Sequence, residues 1–494
     1  MRIRAAVPWS LTNTGTAAPR AVTYAHSVRT FVTGGTVVRS TGRSGSDVVC
    51  EDGRVTAVVP HGSVRPADGD TVVDATGCMV IPGAVDAHVH MQLDTGSTVS
   101  SDSFETGTIA AAFGGTTTIV DFAEQRTGGN VLESFERRFA EAASQCVVDW
   151  SLHQVLGGVT PQSLVDARSL VEREGVSSIK LFMAYPGRLY SDDGQILRAL
   201  QMCADTGMMA MVHAENGLAI DVLVEQAVAA GRITPDFHSR TRPPELEAEA
   251  VHRAAVLSRV AGNAPLYIVH LSSKHALDEV LTARSRGTNV FAETCPQYLH
   301  LSLEEHLGRG WPEGAAYICS TPLRSRAEGH HATLWEGLRD DSLAVVSTDH
   351  CPFCLREQKL MNGESFDVVP NGIGGVEHRV DLVHQGVVAG EITAERWVEV
   401  CSTAPARLFG IPGKGDLVPG FDADVVVYDP AAVTRISAST HHMNLDHSAY
   451  EGFELRGGVR TVLSRGEVIV DRGEFLGTRG RGRYLRRDVS RAVN

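Results

Sequence analysis

The 494-residue chain lacks any apolar run of roughly 18 residues, the length a membrane-spanning helix requires, so no span is expected. It also lacks a surplus of positive charge. Its 45 Lys and Arg stand against 59 Asp and Glu, and the net charge of -14 argues against nucleic acid or an anionic membrane as the main partner. A disulfide framework is missing as well. The nine cysteines are odd in number and irregularly spaced, which fits a reducing, cytoplasmic setting. The one close pair, Cys351-Pro-Phe-Cys354, has no second pair at zinc-site spacing and reads as ordinary thiols beside a site. No acidic residue precedes Asp47, and residues 1–27 carry Arg, Ser, Thr and Ala with little periodicity. That segment is read as a disordered extension outside the fold. The rest, 43% hydrophobic and 21% charged, has the composition of a globular protein.

Between residues 80 and 352 one unit keeps returning: a short apolar run, polar residues, then an amphipathic stretch. The runs are VIPGAVDAHVH (80–90), TTTIVDF (116–122), VVDWSLHQV (147–155), SSIKLFMAY (177–185), MMAMVHAE (208–215), PLYIVHLS (265–272), TNVFAETC (288–295) and LAVVSTDHCP (343–352). Eight strands alternating with helices predict a closed parallel (β/α)8 barrel over residues 80–410, in the α/β class. The flanks have another texture. Residues 28–79 and 411–480 hold short Val- and Thr-rich runs broken by turns such as Asp52-Gly53. They predict one small β-sandwich assembled from both the N- and C-terminal segments, with residues 481–494 as a C-terminal tail. The basic stretch GRGRYLRRDVSR there reads as a subunit contact or a solvated tail.

Barrel active sites gather at the C-terminal ends of the strands. Here those ends carry His88 and His90 on strand one, Lys180 on strand four, His213 on strand five, His270 on strand six and Asp349 on strand eight. The two-residue period of a strand turns His88 and His90 the same way, a half-site for a divalent metal, while Val89 faces outward. Lys180 lies among Ile179, Leu181, Phe182 and Met183, where an unpaired ammonium is costly to bury. Three fates are open to it: an ion pair with a carboxylate such as Asp349, a Schiff-base role, or reaction of the neutral amine with carbon dioxide. The last converts a cation into a bidentate anion able to bridge two metal ions. The Schiff base leaves the four histidines without a purpose.

The motifs PGAVDAHVH, SDSFETGTIAAAFGGTTTIVDF, IKLFMAYPG, RPPELEAEAVHR, YIVHLSSKHAL, FAETCPQYLHL, STDHCPF, PNGIGGVEHR, DADVVVYDP and HHMNLDHSAYEGFELRGGVRTVLSRGEVIV occur in this order. Together they resemble the dihydropyrimidinase/hydantoinase family of cyclic amidohydrolases, from about residue 29 to 487. The resemblance implies two zinc ions bridged by a carbamylated Lys180 and a hydroxide. It implies His88, His90 and Asp349 as ligands of the more buried ion, and His213 and His270 as ligands of the other. Asp349 would be general base and then acid, and Tyr185 would stabilise the oxyanion. Backbone groups at Ser320 and Asn371 would hold the ring's amide edge. The implied reaction is hydrolysis of hydantoins or dihydropyrimidines to N-carbamoyl amino acids by a homotetramer. Allantoinase-type hydrolases of other cyclic ureides and imides are the neighbouring alternative, and a non-enzymatic interaction protein of the same fold is the remote one. The chain departs from the family pattern at Val89, at Thr321 and at Pro186. Pro186 puts the substrate preference of the loops 186–193 and 91–101, expected to line the substituent pocket, in question.

Overall fold

The computed structural model describes residues 29–490. The extension expected over residues 1–27 lies outside them. Among the described residues, eight strands run in sequence order around one parallel sheet. They are β1 (Ala84–Asp86), β2 (Thr116–Gln125), β3 (Asp149–Leu156), β4 (Ser178–Phe182), β5 (Met209–His213), β6 (Leu266–Ile268), β7 (Val290–Thr294) and β8 (Val345–Val346). Beyond the strand ends, a parallel bridge between Val89 and His350 joins the last unit to the first, with the His90 N–H donating to the His350 carbonyl at 2.8 Å. The sheet is thereby a closed (β/α)8 barrel. β3, β4 and β5 are buried almost throughout, as strands covered on both faces must be.

The helices begin where the sequence offers caps. Thr160 and Asp192 each close a capping box, at Pro161–Glu174 and Asp193–Thr206. After β5 the chain holds Gly217–Ala229, a single turn at Phe237–Arg240, and Pro244–Val260, which opens on Pro with Glu245 and Glu247 in its first turn.

The flanking segments form a ten-stranded mixed assembly. Strand Gly42–Glu51 pairs with Thr36–Arg39 through its first half and with Thr30–Thr33 and Arg54–Pro60 through its second, so it serves both layers of the sandwich. The Asp52-Gly53 turn has positive φ at both residues, as a two-residue hairpin requires. The N- and C-terminal segments meet where Met79–Pro82 pairs antiparallel with Val425–Tyr428. Val48, Val80, Val425 and Leu463 share the sandwich core.

Two expectations change here. The run VIPGAVDAHVH is not one strand: Met79–Pro82 belongs to the sandwich sheet and Ala84–Asp86 to the barrel. The break falls at Gly83, where a Cβ would sit 2.2 Å from Thr117 Oγ1. Only glycine lets the chain pass that close while its N–H reaches the Asp424 carbonyl at 2.8 Å. The basic C-terminal stretch, in turn, is docked rather than solvated. The Trp150 N–H donates to the Arg483 carbonyl and the Leu485 N–H to the Trp150 carbonyl. Arg487 is buried and donates to Ser151 Oγ at 2.9 Å and to the Leu152 carbonyl at 2.5 Å.

A buried ion cluster ties barrel to sandwich. Lys414 Nζ lies 2.7 Å from Asp149 at the head of β3, 2.7 Å from Asp424 and 2.9 Å from Asp422, and Arg465 also pairs with Asp149. Burial alone would lower the Lys414 pKa, but the three carboxylates raise it. Removing one partner of such a network leaves the others uncompensated. Lys414→Met is therefore expected to cost about 3–5 kcal/mol, read as a lower denaturation midpoint. An unchanged midpoint would show the cluster to be inert.

Candidate metal centre

The strand ends bring all six sequence-derived ligand candidates to one cavity of about 310 Å³, lined by His88, His90, Lys180, His213, His270 and Asp349 together with Tyr185, Ser320 and Asn371. β4 and β5 are in register so that Lys180 lies beside Met211 and Phe182 beside His213. His270 follows β6 by two residues and Asp349 follows β8 by three. Tyr185, His270 and Asp349 all have left-handed backbone, with φ of 62°, 38° and 52°. For non-glycine residues this is strain that the surroundings must hold in place, and it recurs at functional sites. At Tyr185 it is the turn that returns an out-of-phase side chain to the cavity.

The ring nitrogens are held in defined roles. Glu293 Oε1 lies 2.5 Å from His88 Nδ1, so that nitrogen carries the proton and Nε2 presents a lone pair. His88 Nε2 and His90 Nε2 each lie 3.1 Å from Asp349 Oδ1. His88 Nε2, for all its closeness, makes no hydrogen bond; His90 Nδ1 and His270 Nδ1 are buried without a partner as well. Glu215 Oε2 lies 2.7 Å from His213 Nε2, which leaves His213 Nδ1 facing His270 Nε2 at 2.9 Å. Burial pushes the His270 pKa well down, and His213 and Lys180 add to the effect. Burial would raise the Asp349 carboxyl, yet the imidazoles of His88, His90 and His270 hold it well below the usual carboxylate range. With the His88 proton held on Nδ1 by Glu293, His88 Nε2 and the Asp349 carboxylate are both electron-pair donors and need positive charge between them, a proton or a metal ion. The ligand atoms of His88, His90 and Asp349 fall within 4.8 Å of one another, and this donor set fits a divalent metal ion.

Lys180 is 1% exposed. Among the described residues no carboxylate forms an ion pair with it, so the pairing with Asp349 considered from sequence does not occur. Its amine instead lies over the faces of Phe122 and Phe182, at 5.1 and 5.2 Å from the ring centroids. Those rings pack in turn on His90 and His213 respectively. Desolvation lowers the amine to about 8.

The loops 91–101 and 186–193 supply Leu93, Thr95, Ser97, Arg188 and Leu189 to the cavity wall, and residues 367–372 complete it. Asn371 Nδ2 donates to Ser320 Oγ at 3.1 Å. Sequence reasoning misses Glu293 and Glu215, the orienting carboxylates. Glu293 also accepts from the Tyr267 hydroxyl at 2.9 Å and the His270 N–H at 3.2 Å. An acid inside the buried run VFAET was the available signal for Glu293, and the His213-Ala-Glu215 spacing that for Glu215.

The amidohydrolase family model matches residues 79–469. The chain belongs to the amidohydrolase family. A D-hydantoinase of Streptomyces coelicolor is 52% identical over 464 residues, spanning 93% of this chain and 98% of that protein. A D-hydantoinase of Geobacillus stearothermophilus is 40% identical over 92% of this chain and 96% of its own. The crystal structure of dihydropyrimidinase from Brevibacillus agri superposes with a TM-score of 0.91 at 39% identity, covering 94% of this chain and 99% of that one. Within the amidohydrolases the chain is thus a cyclic amidohydrolase of the dihydropyrimidinase/D-hydantoinase type, and an enzyme.

The orienting carboxylate gives a test. Glu293→Gln removes the charge behind His88 and is expected to weaken metal binding about 10- to 100-fold, measured by competition against a chromophoric chelator. Unaltered affinity would remove Glu293 from the centre.

Proposed function

We propose that the protein is a dinuclear zinc hydrolase that opens the ring amide of hydantoins or dihydropyrimidines to give N-carbamoyl amino acids. The observation that carries this is the unpaired, buried Lys180 flanked by two sets of inward-facing ligands. His88, His90 and Asp349 would hold one ion, and His213 and His270 the other. Lys180 Nζ, neutral once its proton is lost, would give its lone pair to the carbon of carbon dioxide as one C=O π pair moves to oxygen and the nitrogen releases a further proton to solvent, and the resulting carbamate would be an anionic ligand for both ions. The two ring classes are carried over from the names of the relatives, D-hydantoinase and dihydropyrimidinase.

Divalent ions held there would make water a nucleophile at neutral pH, by lowering its pKa to about 7, and would polarise the ring carbonyl. The remaining work falls to the chain. Asp349, its carboxylate ionised, takes the nucleophile's proton on Oδ and returns it to the leaving ring nitrogen. The Tyr185 hydroxyl donates to the developing oxyanion. Burial pushes that hydroxyl up to about 12, so it stays a donor through neutral pH. Ser320 and Asn371, joined by their own hydrogen bond, hold the ring's amide edge. Leu93, Phe122, Phe182, Leu189, Val368 and Val369 offer an apolar wall to a ring substituent. A homotetrameric assembly and a cytoplasmic location belong to the same proposal. The latter is supported by nine free thiols, eight of them buried.

The test compares kcat/KM for dihydrouracil with that for a 5-substituted hydantoin, on zinc-loaded protein in bicarbonate. Turnover of either is expected, with the N-carbamoyl acid as product. Two bound zinc ions and no turnover of either would defeat the proposal. Tyr185→Phe is expected to lower kcat about 10²- to 10³-fold; an unchanged kcat would take the oxyanion role from Tyr185.

A further inference from the structure

The site so described leaves the buried amine of Lys359 unused. Lys359 ends the short helical turn Leu355–Lys359 on the loop that follows β8, and it is 1% exposed. No carboxylate among the described residues pairs with it. Its Nζ donates instead to two backbone carbonyls, Ile318 at 2.9 Å and Pro370 at 3.1 Å. These carbonyls belong to separate loops, one leading into Ser320 and the other into Asn371. The Gly372 N–H also donates to the Ile318 carbonyl at 3.0 Å, so the loops are stitched at this point and Lys359 closes the stitch.

Peptide planarity gives the contact a direction. Across a trans peptide the carbonyl of one residue and the N–H of the next point opposite ways. With the Pro370 carbonyl turned toward Lys359, the Asn371 N–H is turned away from it. Asn371 and Gly372 line the cavity, and among the described residues the Asn371 N–H has no acceptor. An ammonium on the carbonyl also draws electron density through the peptide and strengthens the opposite N–H as a donor. A neutral side chain would hold the plane without that polarisation.

We propose that Lys359 is a positioning residue for the ring amide: it fixes the Ile318 and Pro370 peptide planes so that the Asn371 N–H is presented to the substrate. This rests on the cyclic-amide reading of the site. Lys359 touches neither ligands nor reacting atoms, so its effect belongs to substrate binding and not to the centre itself.

The test is Lys359→Met beside Lys359→Gln on zinc-loaded protein, with 5-substituted hydantoin as substrate. Met keeps the length and apolar stem without a donor; Gln restores a donor without charge. KM is expected to rise about tenfold in the Met variant, about the worth of the one substrate hydrogen bond from the Asn371 N–H that the two lost Lys359 contacts hold in place. Its kcat should stay within about twofold and its zinc content unchanged, with the Gln variant between it and wild type. A wild-type KM in the Met variant overturns the proposal. So does a fall in kcat or zinc content at constant KM in the folded Gln variant, because that is damage to the centre and not to substrate positioning. A wild-type protein that turns over no cyclic amide removes the functional reading, and this inference with it.

Discussion

Electron pairs that face one another at the mouth of the barrel are the constraint on which the site depends. His88 Nε2, with the ring's proton held on the far nitrogen by Glu293, stands 3.1 Å from Asp349 Oδ1 without a hydrogen bond between them. Left alone, such contacts would push the strand ends apart. Glu293 prevents the easy escape, a change of the His88 tautomer, because it anchors the proton on the far ring nitrogen. The backbone is committed to the same arrangement, with left-handed conformations at Tyr185, His270 and Asp349. Positive charge placed among these groups relieves the repulsion, which makes metal binding part of the site's stability as well as of its chemistry.

The scaffold around this centre is built to resist that repulsion. Barrel closure through Val89 and His350 brings the first and last units together, so that His90 and Asp349 meet across more than half the chain. The Lys414 cluster then locks β3 to the sandwich, and the docked C-terminal segment covers the same strand through Arg483, Leu485 and Arg487. Small side chains at the interfaces, as at Gly83, allow the sandwich and barrel backbones to approach closely.

Much of this is legible in the residues themselves. Lys180 stands out because a charge inside an apolar run breaks the rule that strands bury apolar groups, and His88-Val-His90 because a strand repeats every two residues. The same rule marks Glu293 inside VFAET, but its partner His88 lies 205 positions away and no local pattern joins them. Lys359 reads as an ordinary loop lysine, since its partners are carbonyls and carbonyls have no sequence signature. The split at Gly83 is hidden by continuous apolar character on both sides of it. The tail 481–490 misleads through composition: its arginines suggest solvent, whereas Arg487 is buried and donates to Ser151 and Leu152 of β3.

The carbamate on Lys180 is the claim on which the dinuclear centre turns, and carbon NMR of zinc-loaded protein exchanged into isotope-labelled bicarbonate tests it most directly. Only the neutral amine reacts with carbon dioxide. With the amine lowered to about 8, labelling of the metal-depleted chain at constant dissolved carbon dioxide should become faster as pH rises through that value. One protein-bound carbamate resonance is expected, retained once zinc is bound and absent from Lys180→Ala. A chain that binds two zinc ions and turns over substrate with no such resonance would contradict it.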